Sequence, residues 1–191
     1  MKIQLILVLF ILFSATESSV TLNSTGIWNK VVESIDNRKM NFNKCYFIFD
    51  PNNYAKLDKD NTTMSNFTLK QKKIYNKYGI KNYFFIVDDF DIERENIETV
   101  AKNLQLFISK DYGINMSNSI IIFIGIKSRK IRVQIGKSLN NYINDHDASA
   151  IINSMASYMR NEHYYYALNK VLYSIEYYYN RSINNYNNIN Y

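Results

Sequence analysis

The stretch that decides the fold reads SIIIFIGIKSRKIRVQIG and spans residues 119–136. Its first part, residues 119–126, is apolar almost throughout, which is typical of a strand buried on both faces of a sheet. Its last part, residues 130–135, alternates polar with apolar side chains, which indicates an edge strand with one face in water. The short turn between them, residues 127–129, predicts an antiparallel hairpin at the edge of the sheet.

Two earlier segments also predict strands. Residues 46–49 form a compact apolar pattern that ends at Asp50-Pro51, because proline cannot donate to a strand ladder. Residues 83–87 are wholly apolar, and Asp88 follows them directly. Each of these two predicted strands is therefore followed by an acidic residue.

Amphipathic segments with helical spacing lie between and after the strands. Their predicted boundaries are cap and stop residues: Ser65 and Gly79 for the first helix, Asp91 for the second, and Asp145 or Asp147 for the third. A last helix follows a break at residues 161–163. Because buried strands alternate with helices, we predict an α/β fold, a three-layer α/β/α sandwich with a mostly parallel central sheet and one antiparallel edge hairpin.

The two ends of the chain differ from the middle. Residues 1–19 combine Lys2, an apolar run over residues 3–13 and several small residues, which predicts a cleaved signal peptide. We interpret residues 20–43 as an N-terminal helical extension, residues 44–180 as the α/β/α domain and residues 181–191 as a polar disordered tail. We therefore expect a secreted, extracellular protein with no transmembrane anchor after signal cleavage.

The formal net charge is +6. The cations are spread, with Lys70, Lys72 and Lys73 on one helix and Lys127, Arg129, Lys130 and Arg132 around the hairpin. A nucleic-acid-binding protein would be expected to carry a denser basic stripe with aromatic platforms, so we expect no nucleic-acid partner. A solvated cationic surface favours acidic partners instead.

Export would expose the chain to disulfide formation and to N-glycosylation. Cys45 is the only cysteine, so no internal disulfide is possible. N-glycosylation signals occur at five asparagines: Asn23, Asn61, Asn66, Asn115 and Asn180.

Several carboxylates follow predicted strands or begin a predicted helix. In an open α/β sheet, ligands bind beyond the carboxyl ends of the strands. If the acidic side chains converged there, they would suit calcium, a hard cation with oxygen ligands. The candidate metal ligands are Asp50, Asp88, Asp89, Asp145 and Asp147. The alternative interpretation is that each aspartate only caps a helix or begins a turn.

The last helix contains two tyrosine clusters, residues 164–166 and 177–179. Exposed tyrosine is favoured at protein interfaces, because it buries a large area at little entropic cost. The alternative is that the clusters form an aromatic edge of the core.

The order of these elements resembles the TPM domain. The similarity runs from about residue 46 to residue 179. It includes Asp50-Pro51, Tyr112-Gly113-Ile114, the central strand at residues 120–124, and the hairpin from Arg129 to Gly136. It continues with Leu139, Asn144-Asp145 and residues 165–168. Arg129, Arg132 and Gly136 are the residues that we expect to shape the hairpin.

The signal peptide and the tyrosine-rich end are most similar to the modulator-of-levamisole-receptor (MOLO) family of nematodes. That resemblance implies an auxiliary modulator of acetylcholine-gated channels. Bacterial and plastid TPM domains imply a calcium-dependent acid phosphatase instead, with Asp50, Asp88 and Asp145 as its candidate catalytic residues. Many TPM domains place an acidic pair just before the central strand, where this chain has Ser117, Asn118 and Ser119.

We therefore expect a secreted, non-enzymatic TPM-like binding domain. Its expected partner is an extracellular protein, with the ectodomain of a ligand-gated channel as the candidate. The alternative function is the calcium-dependent acid phosphatase, for which calcium would be the cofactor.

Overall fold

The computed structural model describes residues 45–57, 62–88 and 96–189. Within them the strands are β1 (Tyr46–Phe49), β2 (Lys81–Val87), β3 (Ser119–Gly125) and β4 (Lys130–Ile135). The α-helices are α1 (Thr62–Tyr78), α2 (Ile97–Asp111), α3 (Asp145–Arg160) and α4 (Tyr164–Ile189). A short 3₁₀ turn, Lys137–Leu139, lies between β4 and α3.

The strands form one sheet in the order β1-β2-β3-β4. β1, β2 and β3 are parallel, and β4 is antiparallel to β3, with Phe84 beside Ile122 and Ile122 beside Val133. Every residue of β3 is buried, whereas β4 begins with an exposed residue and is otherwise mostly half-buried. The predicted mostly parallel sheet with an antiparallel edge hairpin is confirmed.

Helices cover both faces of the sheet. On one face, the ring of Phe67 in α1 packs edge-on against Phe84 with 5.2 Å between ring centroids, and α3 and α4 belong to the same core cluster. On the other face, Glu98 of α2 accepts a hydrogen bond from Arg132 of β4 at 2.9 Å. Alternate residues of β2 and β3 point to opposite faces, so their wholly apolar sequence follows from burial under two helical layers. The three-layer sandwich is confirmed.

Strand β4 returns the chain to the amino edge of the parallel strands. The backbone N–H of Gly136 donates to the carbonyl oxygen of Ser119 at 2.7 Å, and Ser138 N–H donates to Ser117 O at 2.9 Å. The chain after β4 therefore runs beside the start of β3. Helix α3 begins at this amino edge.

The helix caps differ from the predicted ones. The side chain of Asn96 accepts from Glu98 N–H at the start of α2, whereas the predicted cap, Asp91, lies outside the described residues. Asn144 caps α3 and Asp147 completes a capping box by accepting from Asn144 N–H. Ser65 lies inside α1, which begins at Thr62. Several residues whose side chains can cap a helix precede each helix. Residue type alone therefore does not identify the cap.

Helix α4 extends through residues that were predicted as a disordered tail. It ends at Ile189, so residues 181–189 are helical. Arg181 Nη2 donates to Asp147 Oδ1 at 2.7 Å, and Ser182 Oγ donates to Tyr142 O at 2.6 Å. Tertiary contacts of this kind stabilise a polar helix that would be marginal alone.

Some predicted features lie outside the described residues. These are the signal peptide over residues 1–19, the extension over residues 20–43, Asn23, Asn61 and Asp89. Among the helices of the described part of the chain, none is long and apolar enough to cross a bilayer.

The close approach of Gly136 to the segment before β3 makes a stability prediction. A Cβ at Gly136 would lie 2.4 Å from the carbonyl oxygens of Met116 and Ser117. We expect Gly136→Ala to lower the free energy of unfolding by about 1–3 kcal/mol, because backbone atoms would have to move. Urea denaturation measures this change. The control is Gly113→Asn, where an added Cβ meets nothing within 4 Å and asparagine tolerates the positive φ; an equal loss in both variants would contradict the explanation.

The ion pair between Arg181 and Asp147 makes a second prediction. The Asp147 side chain is 1% exposed and that of Arg181 is 40% exposed. We expect Arg181→Met to lower the free energy of unfolding by about 1–3 kcal/mol, because it leaves a buried carboxylate short of a donor. The control is Lys77→Met, which removes an exposed ion pair to Glu176 at 3.7 Å and should change stability little. In the double variant Arg181→Met with Asp147→Asn, the stability loss should be smaller than in Arg181→Met alone. An equal or larger loss in the double variant would argue against the ion pair as the cause.

Candidate ligand-binding cleft at the carboxyl edge of the sheet

Asp50 organises the turn that follows β1. Its Oδ1 accepts from Tyr54 N–H at 2.9 Å and its Oδ2 accepts from Ala55 N–H at 2.8 Å. Both carboxylate oxygens are therefore used to hold the turn over residues 50–55. This is the turn-forming role that was the alternative to metal binding.

Asp88, at the end of β2, is surrounded by donors from that same turn. Its Oδ1 accepts from the hydroxyl of Tyr54 at 2.5 Å and from the side-chain amide of Asn52. Its Oδ2 lies 3.8 Å from the ammonium of Lys127, in the hairpin turn. The Tyr54 hydrogen bond first, and then the contributions of Asn52 and Lys127, hold the pKa of Asp88 below its ordinary value. The same hydrogen bond raises the pKa of Tyr54.

The structure does not bring together the four predicted metal ligands that it describes. Asp50 and Asp88 lie at the carboxyl edge, whereas Asp145 and Asp147 lie at the start of α3, at the amino edge. The reason is the antiparallel direction of β4, which carries the chain back across the sheet before α3 begins. Within residues 45–57, 62–88 and 96–189, no group of three or more His, Cys, Asp or Glu side chains is placed to hold a metal ion. The alternative catalytic set Asp50, Asp88 and Asp145 is divided between the two edges in the same way.

A cleft of about 640 Å³ opens beside this cluster. It lies between the β3–β4 hairpin and the junction of α3 with α4. Its apolar wall comprises Ile126, Ile131, Ala156 and Met159. Its polar lining comprises Lys127, Arg129, Arg160, Glu162 and Tyr164. The cleft therefore combines an apolar wall with three cations and one carboxylate.

Tyr164 connects the cleft with the Asp88 cluster. Its ring packs edge-on against Tyr54, with 5.8 Å between centroids. Burial first, and then the carboxylate of Glu162, raise the pKa of Tyr164, while Arg129 acts in the opposite direction. The hydroxyl therefore stays protonated at neutral pH and can act as a donor or an acceptor.

Backbone strain is concentrated at this edge. In the described parts of the chain, the non-glycine residues with positive φ are Asn53, Lys56, Arg129 and Glu162. Asn53 and Lys56 lie in the turn after β1, and Arg129 and Glu162 line the cleft. Glu162 ends α3 in a helix-terminating turn in which His163 N–H donates to Tyr158 O at 2.9 Å. Non-glycine residues rarely adopt this left-handed backbone conformation, and those that do cluster at ligand sites.

Sequence reasoning missed Arg160 and Glu162 as site residues. They lie at the break between two helices and are separated by some thirty residues from the hairpin that they face. The one available signal was that break itself, since a loop at the end of a helix is a common place for binding residues. Arg129 was assigned to the hairpin only, and the structure adds that it lines the cleft.

The other predicted sites lie elsewhere. Asn66 is exposed on α1 and Asn180 is half-buried on α4. Asn115 is exposed, and its Oδ1 accepts from Ser117 N–H and Ser117 Oγ. Arg132 pairs with Glu98 of α2, so it joins the hairpin to the second helical layer.

The donors around Asp88 make a pH prediction. A carboxyl group with a lowered pKa stabilises the fold above its unfolded pKa, and this contribution is lost as the pH falls through the folded pKa. Tyr54→Phe removes the largest cause, so we expect the pKa of Asp88 to rise towards its ordinary value and acid unfolding to begin at higher pH. NMR titration of the Asp88 carboxyl carbon measures the change.

The control for this titration is Tyr158→Phe, which removes an exposed hydroxyl elsewhere on the surface. It should leave the Asp88 titration unchanged. An unchanged Asp88 pKa in Tyr54→Phe would contradict the assignment of the shift to the Tyr54 hydrogen bond.

Comparison with known proteins agrees with this architecture. The N-terminal domain of a protein from P. gingivalis superposes with a TM-score of 0.55 and 13% identity, covering 72% of this chain and 83% of that one. The BA42 protein from the psychrophilic bacterium Bizionia argentinensis gives 0.54 and 8% identity, covering 63% and 80%. At such identities the likeness shows the fold alone.

No curated protein matches this chain in sequence. The family model described as the TPM domain does match, over residues 57–178. That segment contains α1 to α3, β2 to β4 and the first half of α4, and it includes every residue of the cleft. The chain belongs to the TPM domain family.

Proposed function

We propose that this TPM domain is a non-catalytic binding protein that holds an acidic group of a protein partner in the carboxyl-edge cleft. The observation that carries the proposal is the division of charge at this edge. The carboxylates of Asp50 and Asp88 are occupied by donors of their own chain. The cleft, in contrast, is lined by three cations, including Arg129 and Arg160, against the single carboxylate of Glu162.

The chemistry of the cleft suits a carboxylate. A guanidinium presents donors in a planar fork that matches a carboxylate, and such charge-assisted hydrogen bonds are stronger than neutral ones. Lys127 already lies near Asp88, which leaves the two arginines as the principal anion ligands. Ile131 and Met159 provide an apolar wall for the aliphatic part of the partner's side chain.

The arrangement gives little support to hydrolysis. A phosphatase nucleophile or a calcium ligand needs carboxylate oxygens that face the substrate. Asp88 accepts two hydrogen bonds and lies near Lys127, and Asp145 is at the opposite edge. We therefore do not propose a calcium-dependent acid phosphatase, and an assay of phosphatase activity would detect one.

The proposed setting is extracellular. The predicted signal peptide supports secretion, and the resemblance to the MOLO family supports an acetylcholine-gated channel as the partner. Co-expression of the chain with levamisole-type receptor subunits, followed by recording of agonist-evoked currents, tests this part. Unchanged currents together with no co-purification would exclude the channel as the partner.

The binding proposal predicts the effect of removing the cleft cations. In Arg129→Asn combined with Arg160→Gln, the affinity for N-acetylglutamate should fall by roughly tenfold or more, because charge-assisted hydrogen bonds contribute about 1.5–3 kcal/mol each. Asparagine is chosen at position 129 because it tolerates the left-handed backbone there. Chemical-shift titration by NMR measures the affinity and locates the ligand.

The matched control removes two cations from α2, on the other face of the sheet, through Lys102→Gln combined with Lys110→Gln. It should leave the affinity within about twofold, since distant exposed charges are screened by salt. Equal weakening in both pairs would overturn the cleft as the site. Turnover of p-nitrophenyl phosphate that requires calcium and is lost in Asp88→Asn would overturn the non-catalytic assignment.

A further inference from the structure

Helix α4 exposes a row of tyrosines on the side that faces away from the core. Tyr166, Tyr173 and Tyr177 are 60%, 56% and 61% exposed. Their spacing of seven and then four residues places them on one stripe of the helix, with Lys170 between them. The opposite stripe of α4, which includes Leu168, is buried. These three tyrosines therefore lie outside the buried core of the domain.

Helix α1 lies beside this stripe and is held to it by specific contacts. Lys70 Nζ donates to Asn169 Oδ1 at 2.7 Å and lies 4.4 Å from the centroid of the Tyr173 ring. About two turns further along both helices, the hydroxyl of Tyr78 donates to Glu176 at 3.1 Å. The two helices run parallel at this contact, so their outward residues lie on the same side of the domain. This surface, here named the lysine–tyrosine face, comprises Lys70, Lys73 and Lys77, which share one stripe of α1, with Tyr166, Lys170, Tyr173 and Tyr177 of α4.

The charge of the lysine–tyrosine face is strongly one-sided. Helix α1 contains four lysines and no carboxylate. Helix α4 adds Lys170 and one carboxylate, Glu176, which is shared between Tyr78 and Lys77. The lysine–tyrosine face therefore combines four ammonium groups with three exposed rings, and the whole chain carries a net charge of +6.

We propose that the lysine–tyrosine face is a docking surface for an acidic segment of a partner protein. The lysines provide charge complementarity, which steers association and disfavours basic partners. The tyrosines provide rigid area with a polar end, the type of residue that dominates binding energy at protein interfaces. From Tyr166 to Tyr177 the stripe is about 17 Å long at 1.5 Å per residue, which matches an acidic helix of three turns.

A protein suits this surface better than a polyanion alone. A polyanion without apolar groups would pair with the ammonium groups but would leave the three rings without apolar contact. An acidic segment that also carries aromatic or aliphatic side chains uses both features. The lysine–tyrosine face shares no residue with the cleft, so the two proposals can fail separately.

The test uses the full chain and two labelled polypeptides of equal length, a random copolymer of glutamate and tyrosine, and poly-glutamate. Fluorescence anisotropy measures affinity for both. We expect the copolymer to bind roughly tenfold more tightly than poly-glutamate. The triple variant Tyr166→Gln, Tyr173→Gln and Tyr177→Gln should remove this difference, and its poly-glutamate affinity should change less than twofold. Glutamine keeps the helix propensity of these exposed positions.

Charge variants and controls complete the experiment. Lys73→Gln with Lys170→Gln should weaken both polymers at least threefold, while Tyr186→Gln and the α2 pair Lys102→Gln with Lys110→Gln should change neither. Arg129→Asn with Arg160→Gln should leave the copolymer affinity unchanged, which separates this surface from the cleft. Circular dichroism confirms that each variant is folded.

Three outcomes would overturn the proposal. Equal affinity of the wild-type chain for the two polymers would show that the rings contribute nothing. A copolymer affinity that survives the triple tyrosine variant would place the site elsewhere. Tighter binding to heparin or to phosphatidylserine vesicles than to the copolymer, lost in the lysine variant, would assign the surface to a glycan or a membrane instead of a protein.

Discussion

Burial of β3 on both faces is the constraint on which the rest of the structure depends. Its side chains can leave water only if helices cover both sides of the sheet, so α2 must pack on one face and α1, α3 and α4 on the other. The antiparallel β4 then closes one edge of the sheet with a short turn. Gly136 allows the chain after β4 to pass beside the segment before β3, where any larger residue would meet two carbonyl oxygens.

The direction of β4 decides which acidic residues meet. Because the hairpin returns the chain to the amino edge, the aspartates of α3 lie there and serve the helix instead of a ligand. Asp147 completes the capping box and pairs with Arg181, and this pair holds the polar second half of α4. A parallel fourth strand would have placed the start of α3 beside Asp88. One change of strand direction therefore separates a set of carboxylates that the sequence alone suggested as a site.

The carboxyl edge has a different electrostatic character from the one expected. The turn after β1 uses the oxygens of Asp50, and its side chains Asn52 and Tyr54 occupy Asp88. What remains open to a ligand is the cationic cleft with Arg129 and Arg160. The same excess of cations recurs on the lysine–tyrosine face, so both proposed sites select acidic groups, one through guanidinium forks and one through lysines around aromatic rings.

The sequence by itself determined the strands, the mostly parallel character of the sheet and the edge hairpin, since these follow from periodicities of a few residues that local burial imposes. The order of the strands in the sheet came from the structure. It also determined that helices would cover both faces, because β2 and β3 are apolar on both. Only the tertiary structure decided the caps, where Asn96 and Asn144 act among several similar candidates, and the length of α4, whose polar end depends on the distant Asp147. It alone brought Arg160 and Glu162 to the hairpin, because such pairings arise from the path of the chain across the sheet, which no local pattern records.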